Sequence, residues 1–258
     1  MPNAVWQPRE LATDPHARAD KADKVQAMFS SIAGAYDLNN RVHSFGLDQR
    51  WRKHAVRIAA VRTGDAVVDV ACGTGDLTEL FARTEAGSVV GIDFTPAMLD
   101  IARLKSAPKF SSRTASQAQR VAPSYIQGDA MALDLADASA DVISIAFGLR
   151  NVAEPFRALR EFRRVLRPGG RLVVLEFDEP RNALIRTANR LYTHHIMPWT
   201  ATLLARDRSG AYRYLPRSVE TFLNRDRLRD AMTEAGFTNI EQTPLTFGTC
   251  VISRGLVP

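Results

Sequence analysis

Cysteine is nearly absent. Cys72 and Cys250 are the only two in 258 residues. That is too few for a disulfide framework and fits a reducing compartment. Long apolar runs are absent as well. None approaches the roughly 20 residues that a spanning helix needs. The N-terminus, MPNAVWQPRELATDPHARADKAD, is polar and contains acids. It therefore lacks a secretory h-region and makes a poor transit peptide. These absences predict a cytoplasmic protein, peripheral at most, at the inner face of the membrane. Residues 1–23 read as a flexible leader and 24–258 as a single domain. The net charge of +6 allows an anionic partner such as a membrane surface but does not demand one. No internal repeat is visible, and the two cysteines are too sparse for a zinc site, so no metal is expected.

What is present is an alternation. Ala66–Val70, Ser88–Asp93, Ser124–Gln127, Asp141–Ala146 and Arg171–Glu176 read as strands. Asp76–Arg83, Pro96–Ser106 and Glu154–Leu166 read as the helices between them. Asp226–Ala235 reads as a later helix stopped by Gly236. Phe237–Thr243 and Phe247–Arg254 form a terminal strand pair. Such alternation implies a parallel sheet with right-handed crossovers, and the strand pair adds one antiparallel strand. Lys109–Pro123, rich in Ser, Ala, Gln and Arg, reads as an exposed insertion. Two helical segments, 24–60 and 180–217, lie outside the alternation and are expected to build a substrate side.

The first strand runs into DVACGTGD, Asp69–Asp76. Gly73 and Gly75 would let a ligand approach the backbone. A P-loop needs Gly-Lys-Ser/Thr here, and the chain has Gly75-Asp76-Leu77. A dinucleotide loop wants a small residue where Thr78 stands. Asp69 and Asp76 would repel a pyrophosphate but tolerate a cationic nucleotide. Asp93 ends the second strand 18 residues after Gly75, where an acid can accept both ribose hydroxyls. It could equally serve the start of the next helix, which Thr95 could cap instead. Asp129 follows the third strand. It could take an adenine amino group, with the Ala130 amide facing a ring nitrogen, or be a plain loop acid. Three acids at successive strand ends favour a nucleotide site, and S-adenosylmethionine (SAM) over NAD.

DVACGTGD, VVGIDFTPAML, GDAMAL and RPGGRLVVLEF follow the order of class I SAM methyltransferases. More narrowly, YDLNNRVHSFGLDQRWR (36–52), SIAFGLRNV (144–152), YRYLPRSV (212–219) and LTFGTCVISRG (245–255) resemble the UbiE/COQ5 family. The resemblance implies a Rossmann-like three-layer sandwich with a mostly parallel seven-stranded sheet and one antiparallel strand. It implies C-methylation of the ring of a polyprenylated quinol, a menaquinone or ubiquinone precursor. By position, the family's SAM contacts fall on Thr74, Asp93, Asp129 and Ala130. Ala146 stands where the family carries a serine.

Phenols ionise near pH ~10, so ring-carbon attack needs a stabilised phenolate. Arg150 stays protonated and could hold one by charge-assisted hydrogen bonds, with Asn151 orienting the second ring oxygen. Alternatively Arg150 caps a loop or pairs with Glu154. Tyr36, Asp37 and Asn40 either contact SAM and the ring or form a helix-end turn. Asp129 and Glu176 are candidate bases, and nothing chooses between them; His43 is not favoured. His194 and His195 are adjacent and would point apart on a helix. Pro180–Arg217 carries seven arginines against Asp207, interleaved with Leu191, Trp199 and other apolar residues. That pattern suits either an interfacial helix with transient membrane contact or a cap packed on the core. No nucleic-acid partner is expected, and a homodimer is left open. The alternative function is methylation of another lipid or small-molecule acceptor.

Overall fold

In this computed structural model the described residues are 5–107, 121–205 and 209–258. The helices are α1 (Pro8–Leu11), α2 (Lys21–His43), α3 (Leu47–Ala59), α4 (Asp76–Phe81), α5 (Pro96–Ser106), α6 (Pro155–Val165), α7 (Ala183–Leu191), α8 (Met197–Ala205), α9 (Ala211–Thr221) and α10 (Arg225–Glu234). The strands are β1 (Ala66–Val70), β2 (Ser88–Asp93), β3 (Ser124–Gln127), β4 (Ala140–Ala146), β5 (Leu166–Phe177), β6 (Thr238–Leu245) and β7 (Cys250–Leu256). They form one sheet in the order β3-β2-β1-β4-β5-β7-β6. Strand β7 runs antiparallel to both β5 and β6, and the other pairings are parallel.

Side-chain alternation along the strands builds two cores. Val67, Val89, Val142 and Val173 face one side and pack with Trp51, Ala55 and Ala59 of α3 and Leu77 and Phe81 of α4. Val68, Ile92, Ile143 and Leu172 face the other, against α6 and α10. On α6, Ala158, Leu159, Phe162 and Val165 fall on one stripe, each fully buried. Strand β5, expected over Arg171–Glu176, begins earlier, at Leu166, and Pro168-Gly169-Gly170 interrupts it. Ala140 pairs with Leu166 and Val142 with Arg171, so the intervening residues bulge out of register.

A third apolar cluster lies apart. Trp6, Val25, Met28, Ile32, Ala201, Ala211, Tyr212 and Tyr214 join α2, α8 and α9. The two segments outside the alternation thus meet each other. Trp6 also corrects the flexible leader expected over 1–23. Its ring is fully buried and stacked on Tyr214 at 4.6 Å. Its amide donates to the Ser209 carbonyl. One buried tryptophan in a polar stretch gives no periodic signal, which is why the segment reads as a leader. Most of the insertion expected at Lys109–Pro123 lies outside the described residues. Among the described residues no helix is long and apolar enough to cross a membrane.

Candidate functional site

Strand order reverses between β1 and β4, and ligands of open parallel sheets bind at that point, beyond the carboxyl ends of the strands. There the loops after β1, β2, β3 and β4 surround a cavity reached by Gly73, Asp93, Asp129, Ala130 and Asn151.

The glycine loop is held from behind. Asp69 is buried and accepts the Ser144 and Thr78 hydroxyls, each at 2.6 Å. Desolvation pushes its carboxyl up to about 6. Asp76 accepts from Gln49 and from the Lys105 ammonium. Neither acid lines the cavity, so the expectation that they select a cationic ligand directly is corrected: both are spent on the loop. Thr78, the residue that argues against a dinucleotide loop, is the donor that ties α4 to Asp69.

The two glycines differ. Gly73 has φ +55° and opens onto the cavity, with Tyr36 the nearest atom to a would-be Cβ at 4.0 Å. Gly75, at φ +83°, meets protein instead, since a Cβ there would lie 2.6 Å from the Tyr125 hydroxyl. Its glycine serves packing. Thr74 also turns away, donating its hydroxyl to Asp37 at 2.5 Å. Lys105 donates to Asp37 at 2.9 Å. Asp37 therefore fastens α2 to the loop.

Asp93 faces the cavity. One oxygen accepts the Gly73 amide and the other the Thr95 amide, both at 2.8 Å. Burial raises its pKa, opposed by those backbone donors. The acid serves the start of α5, where it accepts the Thr95 amide and Thr95 makes no side-chain cap, and it also lines the cavity. Each oxygen keeps a lone pair for a ribose hydroxyl. Asp129 Oδ1 accepts the Met131 amide at 2.9 Å, leaving Oδ2 for an exocyclic amine. Met98, Phe94 and Val152 supply apolar walls. This donor and acceptor set fits the adenosine of SAM. Ala146, where a serine was expected, also lines the cavity.

A second cavity of about 290 Å³ lies on the α2, α3, α7–α9 side. It shares Phe29, Tyr36 and Phe147 with the first. Arg150 lines it, 5 % exposed. Its partner is Glu176, not Glu154. Nη1 donates to Glu176 Oε1 at 2.6 Å and to the Phe147 carbonyl at 2.9 Å, while Nε reaches Ser218 at 3.4 Å. Nη2 has no partner among the described residues. Glu176 lies behind Arg150 and lines neither cavity, which removes it as a base acting on a ligand. Asn151 is on the cofactor side. It donates to the Phe147 carbonyl at 3.2 Å and accepts from the Tyr214 hydroxyl at 3.0 Å, so the expected hold on a ring oxygen is corrected to a brace between β4 and α9. Tyr36 stands between the cavities and Asn40 in the second. Burial raises the Tyr36 pKa, while Arg52 and Arg150 oppose the rise.

His43 is bonded on both ring nitrogens, to the Asn39 carbonyl and the Thr200 hydroxyl, each at 2.9 Å. His194 contacts Glu220 at 2.9 Å. A π-helical turn over Tyr192–Ile196 presents Tyr192, Thr193 and His194 to the cavity. Acids outside the stretch meet three arginines of 180–217: Asp226 pairs with Arg181, Glu179 with Arg190 and Glu220 with Arg217. The stretch is therefore less basic than its own composition implies. Among the described residues no group of three metal-ligating side chains occurs.

Sequence reasoning did not single out Asp48 and Arg52. Both are buried, paired at 2.7 Å, and line the second cavity. Their signal was present. Asp48, Trp51, Arg52, Ala55 and Ala59 occupy one buried stripe of α3, and charges on a core stripe call for an explanation.

The chain matches the ubiE/COQ5 methyltransferase family over residues 17–257. It belongs to that family. A demethylmenaquinone methyltransferase of Thermus thermophilus is 42% identical over 229 residues, covering 88% of this chain and 99% of the relative. The ubiquinone/menaquinone biosynthesis C-methyltransferase UbiE of Shewanella frigidimarina is 38% identical over 237 residues, 91% of each. Among solved structures, a SAM-dependent methyltransferase of Thermotoga maritima superposes with a TM-score of 0.61 at 19% identity, covering 91% of this chain and 100% of that one. That likeness carries the fold alone: the class I methyltransferase sandwich.

Proposed function

We propose that this methyltransferase moves the methyl group of SAM onto a ring carbon of a polyprenylated quinol, a menaquinone or ubiquinone precursor. One observation carries the reading. A cavity with nucleotide-type acceptors adjoins a larger apolar cavity, and Phe29, Tyr36 and Phe147 belong to both.

Bound SAM supplies an electrophilic methyl on a sulfonium sulfur. Asp93, Asp129 and the Gly73 turn orient the nucleoside. In the second cavity a ring carbon becomes nucleophilic once the neighbouring hydroxyl ionises. Arg150 holds its charge and keeps Nη2 available, so it favours the phenolate over the phenol. Glu176 fixes that guanidinium without reaching the ring. Apolar walls, Trp51, Phe177 and Met197 among them, exclude water and leave room for the first units of a tail.

The relatives' names point to the same acceptors. An enzyme for another lipid or small molecule would share the cofactor half and differ in the second cavity. The deciding experiment is methyl transfer from labelled SAM to reduced demethylmenaquinone and, separately, to a demethylated benzoquinol, with products weighed by mass spectrometry. A ring-methylated product from either supports the reading and selects the branch. SAM binding with no product from both would refute the acceptor.

A further inference from the structure

We propose that Arg52, held by Asp48, is a second anchor for the acceptor and takes the ring oxygen opposite the one that Arg150 faces. The proposal rests on the quinol reading and deepens it.

The cavity contains two buried guanidiniums in similar settings. Arg52 lies with its Cζ 5.5 Å from the centre of the Phe147 ring, and Arg150 lies 5.1 Å from that of Phe177. The two rings are in contact at 4.6 Å. Each arginine is tied by Nη1 to a buried carboxylate, Asp48 at 2.7 Å and Glu176 at 2.6 Å. Each keeps donors without partners among the described residues: Nε and Nη2 of Arg52, and Nη2 of Arg150. Tyr36, which stands at the junction of the cavities, lines the second cavity together with both arginines, and both charges oppose the rise of its pKa.

Burying an ion pair costs more than apolar packing of the same volume, so such a pair is weak evidence for stability. Asp48 is nonetheless fully provided for. Ser44 donates to Oδ1 at 2.9 Å and Gln49 to Oδ2 at 3.0 Å. A carboxylate supported in this way aims the guanidinium, and the guanidinium has donors to offer. A quinol carries two oxygens at opposite ends of its ring. One guanidinium for each would hold the ring plane fixed and present one carbon edge to the cofactor cavity. A single anchor would leave the ring free to pivot.

The test uses two probes with the same tail on the full-length enzyme: 3-farnesyl-1,4-naphthoquinol, kept reduced, and 3-farnesyl-1-naphthol, which lacks the second hydroxyl. If only the benzoquinol is turned over by the wild type, the matching benzene-diol and phenol replace them. Turnover of a diol by the wild type tests the acceptor reading itself. Arg52→Gln tests the anchor. Its kcat/KM for the diol should fall about tenfold or more, the scale of a charge-assisted hydrogen bond, while that for the mono-ol changes less than threefold. Equilibrium affinities for the two probes, measured with S-adenosylhomocysteine bound, read the same difference without turnover. Asp48→Asn should give a weaker form of the same selective loss. Unchanged SAM affinity by calorimetry certifies the fold of each variant. Equal losses on diol and mono-ol, or no loss on either, would overturn the proposal.

Discussion

Asp93 accepts the amide of Gly73 at 2.8 Å, and so the acid at the end of β2 and the glycine turn after β1 form one unit. The contact explains why both sit at the same cavity wall. It also means that removing the carboxylate frees the turn. Asp93→Ala should weaken SAM binding at least tenfold by calorimetry, from the lost ribose acceptors. Asp93→Asn, which keeps one acceptor oxygen, should lose less. Unchanged affinity in the alanine variant would take Asp93 out of the cofactor site.

Arg150 and Glu176 are coupled through burial. Arg150→Ala alone would leave Glu176 as an unpaired buried charge, a destabilisation of about 3–5 kcal/mol. The informative variant is therefore Arg150→Ala combined with Glu176→Gln. It should bind SAM within threefold of the wild type while kcat falls about a hundredfold or more, the scale of a removed charge stabiliser. Full turnover would end the phenolate-holding role of Arg150.

Much of this was legible in the sequence because strands and glycine turns write local signals. Asp93 and the Asp129–Ala130 pair were found from strand-end acids and are where the cavity is. Thr74 and Gly75 were not separable from Gly73, because nothing local says that Gly73 opens onto the cavity while Thr74 turns to Asp37 and Gly75 meets Tyr125. Partners far apart in the chain left no trace. Arg150 meets Glu176 across 26 positions, whereas Glu154 was simply the nearest acid in sequence. Trp6 finds Tyr214 through tertiary packing alone. Asp48 and Arg52 were readable in principle, since their spacing places them on the stripe of Trp51 and Ala55, but an i,i+4 pair on a helix usually reads as solvated.

Asp69 makes a pH signature. Burial pushes its pKa up from the ordinary 3.8 to about 6 in the folded protein. A raised acid pKa favours the protonated fold. Its contribution is fully present below pH ~3.8 and is lost as pH rises through about 6. Comparing urea midpoints of the wild type and Asp69→Asn, the wild type should lose ground to the variant between pH 4 and 6.5. The difference should be constant above pH 7. A difference independent of pH throughout would show that Asp69 titrates normally.

The approach to the acceptor cavity displays large apolar side chains. Phe45 and Phe247 are 78% and 79% exposed and both sit at positive φ, 53° and 57°. Left-handed backbone costs a non-glycine residue roughly 1–2 kcal/mol, so these rings are held outward against a local preference. Phe45 lines the cavity and packs on Tyr192 at 5.9 Å. Phe247 lies between Thr246 and the Gly248–Thr249 turn, and Thr246 and Thr249 line the same cavity. Trp199 and Leu191 are exposed on the neighbouring helices. We propose that this rim meets the bilayer that holds the acceptor's tail. Phe247→Gly separates the two effects. Relief of the backbone strain should leave the urea midpoint unchanged or higher. Loss of one inserted ring, about 1.5–3 kcal/mol, should cut partition onto phosphatidylglycerol–phosphatidylcholine vesicles by about tenfold to a hundredfold, and Trp199→Ser should act in the same direction. If both variants sediment with vesicles as the wild type does, the rim is not a membrane surface. A concentration-dependent increase in mass that both substitutions abolish would instead assign it to contact between two copies of the chain.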